Sequence, residues 1–184
     1  MIDLYLKGAL LLSDEKIRKQ HEEIKQLIKR CDRIVFIGNG GSHPLHLSHD
    51  FLKVLQKPTL SIDNPSLLSC LLNDYDKEDT YLNWFKVQRR PGDLVIALSS
   101  SGESLNVINV VRWASLNNDK VITITGFSAD NKLNKLGDVN VHLNIDSFGC
   151  HEIYALAFMH SILDDLVEEK KNGLYKEYVP EERN

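Results

Sequence analysis

The chain has 184 residues, 26 of them acidic and 22 basic, giving a formal net charge of −4. With no basic stripe, that balance argues against a nucleic-acid partner, and 42% hydrophobic residues suffice for a packed core and exclude a disordered chain. Cys31, Cys70 and Cys150 are odd in number and far apart, which predicts a reducing compartment and no disulfide framework. Asp3 and Lys7 interrupt the N-terminal apolar stretch, and no run reaches the roughly 18 apolar residues of a membrane span. The expectation is a cytoplasmic globular protein with no signal segment.

Residues 13–30 are predicted as an amphipathic helix with Ser13 as N-cap, its apolar face formed by Ile17, Ile24, Leu27 and Ile28. This helix covers the sheet or packs against another subunit. The β-branched run 33–37 reads as a buried strand. It leads into a glycine turn, Gly38-Asn39-Gly40-Gly41-Ser42, and then a helix over 46–55 that Pro44 permits. A short strand at 58–62, a helix at 66–72 ending on Asn73-Asp74, and a helix at 80–88 stopped by Pro91-Gly92 come next.

Residues 93–98 are apolar on both faces, as a central parallel strand requires. They run into Ser99-Ser100-Ser101-Gly102-Glu103-Ser104 and a helix over 105–116. A strand at 121–125, a short helix at 131–136, a strand at 139–143 and a long helix at 151–169 follow, and Tyr175 and Tyr178 could dock the charged tail. The alternation predicts an α/β fold with a mostly parallel five-stranded sheet flanked by helices and an N-terminal helix. One domain would span 1–184: a helical segment at 1–30, a core at 31–170 and a tail at 171–184.

Ligands of open parallel sheets bind beyond the carboxyl ends of the strands, where both polar turns fall. Ser99, Ser100, Ser101 and Ser104 at a helix N-terminus make a phosphate cradle without lysine; the plainer alternative is a cluster of N-caps. No Gly-Lys-Ser/Thr follows, so the turn is not a P-loop. His46 and Asp50, at i and i+4, share a helix face and suit one metal ion, or equally are two solvent-facing polar residues. Glu152 and His160, eight residues apart, are separated by about 12 Å of helix rise. Either Glu152 lies in the loop before the helix or the two serve sites shared between subunits; a polar cap and a helix-interior histidine are the plain alternative.

The glycine turn, Asn73-Asp74 and the serine turn, in that order, resemble the SIS (sugar isomerase) domain, and more narrowly the bacterial phosphoheptose isomerases. The resemblance runs from about residue 33 to 166. It implies aldose–ketose isomerisation of sedoheptulose 7-phosphate to D-glycero-D-manno-heptose 7-phosphate, for lipopolysaccharide or capsule, in a homotetramer with sites at subunit interfaces. It also implies one zinc ion per site, held by His46, Asp50, Glu152 and His160, with Asp50 and His160 as the proton-transfer pair. Asn39, Gly40, Gly41, Ser42, Asn73, Asp74, the four serines and Glu152 would bind substrate. Asp50 stands where the family carries Glu, Ala155 replaces a histidine often found there, and the segment between Ser42 and His46 is about two residues short. A non-catalytic SIS regulator that binds a phosphosugar, and an SIS isomerase of another phosphosugar, stand as alternative readings.

Overall fold

A computed structural model of the chain describes Gly8 and residues 12–173. The expectations for the N-terminal stretch around Asp3 and Lys7, and for Tyr175 and Tyr178, lie outside the described residues. Helix α1 spans Glu15–Arg30, strand β1 Arg33–Gly38, α2 Pro44–Asp50, β2 Thr59–Leu60, α3 Pro65–Asp74 and α4 Thr80–Gln88. Then come β3 Asp93–Ser99, α5 Leu105–Leu116, β4 Lys120–Thr125, β5 Val139–His142 and α6 Phe148–Lys171.

All five strands are parallel, in the order β2-β1-β3-β4-β5. Because strand side chains alternate between faces, Ile34 and Phe36 of β1 point into one core and Val35 and Ile37 into the other. The first core joins α1, α2 and α6 to the sheet, with Phe36 against Phe51 at a ring separation of 5.4 Å. The second joins α4 and α5, through Trp84, Phe85 and the valines of α5. Strands β1 and β3 are buried along their whole length, as coverage on both faces demands. Each fully buried Phe, Ile or Leu contributes about 1.5–3 kcal/mol of transfer free energy.

Three local expectations are corrected. Asp14, not Ser13, caps α1: its carboxylate accepts from the Lys16 and Ile17 amides. The helix expected over 46–55 begins at Pro44 and is α only to Asp50; Phe51–Leu55 is a π-helix, and the chain turns out through left-handed Gln56. The last helix begins at Phe148, so Glu152 lies within it and not in a preceding loop. Helix α1 covers this chain's own sheet and α6: Gln20 donates to the Asn140 carbonyl at 2.6 Å, and Lys25 reaches Glu169 at 2.9 Å.

Candidate active site

In a sheet of this order the connections leave β1 and β3 in opposite directions, which opens a crevice above their carboxyl ends. The glycine turn stands on β1 and the serine turn on β3, and the two are bonded across the crevice. Asn39 Nδ2 donates to Ser104 Oγ at 3.4 Å, and Asn106 Nδ2 donates to Asn39 Oδ1 at 2.8 Å. Gly102, at φ 65°, turns the serine loop back on itself, and its amide reaches Ser99 Oγ at 3.2 Å. Ser104 is the N-cap of α5, yet its hydroxyl makes no cap bond and instead faces Asn39 and Ser99. Ser101 Oγ accepts from the Glu103 amide at 3.2 Å, so one serine does serve the turn itself. The cap reading therefore accounts for part of the cluster and leaves the helix N-terminus, with its positive dipole end, open to an anion.

On the other side of the glycine turn, Gly40–Ser42 forms a short 3-10 turn and His43 sits in the left-handed region at φ 55°. The following Pro44 disfavours a right-handed helical residue before it, and it starts α2 at its first position. A cleft of about 530 Å³ lies here, walled by Gly38, Gly40, His43, His46, His49 and Tyr81 among others.

At the edge of this cleft the structure brings together three of the sequence candidates. His46 Nε2 lies 3.2 Å from His160 Nε2 and 3.2 Å from Asp50 Oδ2, and His160 Nε2 lies 3.6 Å from the same oxygen. His46 and Asp50 come from one face of α2, and His160 from the middle of α6. Asp50 is the last α-helical residue before the π turn, a distortion that often marks functional sites. Two imidazole nitrogens and a carboxylate oxygen this close form a group able to hold a metal ion.

Glu152 does not join this group within one chain. It sits two turns before His160 on the same helix, and its carboxylate lies over Gly41. Any side chain at position 41 would place its Cβ 2.2 Å from Glu152 Oε1. The neighbouring His151 is buried against Gly126, and burial pushes it down to about 4; it is neutral at neutral pH and not poised as an acid. Asn73 and Asp74 end α3, bonded to each other at 3.0 Å, and among the described residues neither makes a hydrogen bond to the two turns. Residues the sequence reading passed over are Asn106 and Tyr81. Of these, Asn106 carried a signal, since Asn in a first helical turn often uses its side chain on nearby backbone.

A parallel α/β sheet with a glycine turn and a serine-rich turn facing each other at its switch point defines the class of fold, and the comparisons narrow it. The family model described as the SIS domain matches residues 86–180. A phosphoheptose isomerase of Buchnera aphidicola is 31% identical over 134 residues, which is 69% of each chain. One from Glaesserella parasuis is 30% identical over 149 residues, 77% of this chain and 71% of that one. The solved structure of a Neisseria gonorrhoeae phosphoheptose isomerase shares the fold, with a TM-score of 0.76 at 22% identity over 91% of this chain and 92% of that one. The chain belongs to the SIS domain family, in its phosphoheptose isomerase branch.

Proposed function

We propose that this chain is a phosphoheptose isomerase, interconverting sedoheptulose 7-phosphate and D-glycero-D-manno-heptose 7-phosphate. The observation that carries the reading is the convergence of His46, Asp50 and His160 at the edge of a cleft beside two bonded polar turns. Ser42, Ser99, Ser100, Ser101 and Ser104, with the amides opening α5, would take the phosphate, and Asn39 would orient the sugar. Asn73 and Asp74 would reach sugar hydroxyls. Gly40 and Gly41 would leave the turn bare for the sugar, and Gly41 makes room for Glu152 above it, where that carboxylate would meet the substrate.

Zinc fits the trio. Bonds of about 2.0–2.1 Å in a tetrahedral site place ligand atoms about 3.3 Å apart, close to the 3.2, 3.2 and 3.6 Å separations of these atoms. Asp50 is one methylene shorter than the family's Glu, yet its Oδ2 still reaches both imidazoles. When bound, zinc would supply a Lewis acid for the oxygens of the reacting carbons. Asp50 takes the proton from the carbon next to the carbonyl, and His160 serves as the acid partner that returns one to the neighbouring carbon. The hydroxyl proton moves between the two oxygens, so the isomerisation is neutral overall.

Glu152 would complete the metal set, and the chain would work as a homotetramer with sites at subunit interfaces. The reading also places 1–184 as one SIS domain acting in the cytoplasm, on the way to a heptose-containing surface polysaccharide. Among the described residues no helix is long and apolar enough to cross a membrane.

Substitution tests the assignment. His160→Ala and Asp50→Asn should each lower kcat by about 10² or more, the scale of a lost general acid or base, with unchanged circular dichroism. Turnover at the wild-type rate in either variant would refute it, and sugar-phosphate binding without product in the wild type would favour the regulator.

A further inference from the structure

We propose that Asn106 is a positioning residue: it sets which way the Asn39 amide faces and so makes the glycine and serine turns one anion cradle. The inference rests on the phosphate reading of those turns and goes beyond it. A chain of hydrogen bonds links the two amides to the α5 backbone. The Val107 backbone N–H can only donate, and it is shared between the Ser104 carbonyl and Asn106 Oδ1, each at 3.1 Å. With its oxygen turned to that N–H, Asn106 presents its Nδ2 to the neighbour, and that group donates to Asn39 Oδ1 at 2.8 Å. Asn39 in turn has only its NH₂ left for the crevice, with one hydrogen toward Ser104 Oγ at 3.4 Å. The outcome is a donor where an anion would sit. A flipped Asn39 amide would put a carbonyl oxygen there and repel a phosphate.

Asn106 occupies the second position of α5 and is only partly buried, so it serves no core. It also borders a hollow of about 300 Å³ with Tyr81 and Lys77, in front of the α5 N-terminus. The direction set by the helix backbone is thereby relayed to the turn on the next strand.

Two variants separate positioning from packing. Asn106→Ala removes the relay, and Asn106→Asp keeps the shape but offers two acceptors, which turns Asn39 the wrong way. Calorimetric titration with inorganic phosphate and steady-state turnover of sedoheptulose 7-phosphate give the readouts. Asn106→Ala should weaken phosphate binding and raise KM by roughly threefold to tenfold, the size of one neutral hydrogen bond. Asn106→Asp should weaken both by more than tenfold, and kcat should stay within about threefold in each. The double variant Asn39→Ala/Asn106→Ala should lose no more than Asn39→Ala alone. Wild-type phosphate binding by Asn106→Asp, or losses that multiply in the double variant, would overturn the proposal. A wild-type protein that binds no phosphate would overturn the cradle and this inference with it. Binding that follows the predicted order in a protein without turnover would uphold the inference and refute the isomerase reading.

Discussion

Gly41 shows how a single hydrogen atom can shape this site. Its backbone needs no special conformation, but Glu152 Oε1 occupies the place a Cβ would take, 2.2 Å away. The obstructing group is the end of a flexible side chain, so Gly41→Ala should cost little stability, within about 1 kcal/mol. The carboxylate would have to leave the turn, however, and activity should fall at least about tenfold. Assaying turnover beside the melting temperature checks this, and full activity in the variant would remove Glu152 from the site. At this scale the sequence was partly legible. The spacing of His46 and Asp50 was visible because i and i+4 share a helix face; the closeness of Gly41 to Glu152 was not, because 110 residues of chain lie between them. The choice of Asp14 over Ser13 as cap was hidden for another reason, since both are good caps and adjacent.

Among the elements, α1 is held to α6 by charge as well as by packing. Lys25 meets Glu22 at 2.5 Å, Glu169 at 2.9 Å and Asp165 at 3.4 Å, and Lys29 also pairs with Glu169. Burial raises the Glu169 carboxyl, but hydrogen bonds from Lys29 and Lys25 outweigh it and hold the group below its ordinary range. A depressed carboxyl contributes stability above its unfolded value of 4.5, and that contribution is lost as pH falls through the folded value. Glu169→Gln should therefore destabilise the chain by about 1–3 kcal/mol at pH 7, with the difference shrinking toward pH 4. Urea unfolding at the two pH values tests it; equal stability of variant and wild type at pH 7 would contradict the clamp. Helices and strands were mostly legible in the sequence because period and punctuation mark them. The π turn at Phe51–Leu55 was not, since the buried Phe51 and Leu55, four residues apart, share a face in an α-helix as well and the pattern does not tell the two apart.

For the whole molecule, strand order is what turns separate motifs into one site. β1 and β3 become neighbours only because the chain between them visits β2 at the edge, and that puts the glycine and serine turns on either side of one crevice. Alternation in the sequence made a parallel sheet predictable; it left open which helices would face each other above it. The meeting of α2 and α6, which brings His160 to His46, depends on that arrangement. Glu152, two turns away on the same helix, lies outside that group and over Gly41.

The most direct measurement is turnover of sedoheptulose 7-phosphate by the zinc-loaded protein, followed by nuclear magnetic resonance. The account predicts that D-glycero-D-manno-heptose 7-phosphate forms, that a chelator stops its formation, and that added zinc restores it. A zinc-replete protein that binds the sugar phosphate and yields no product would contradict it.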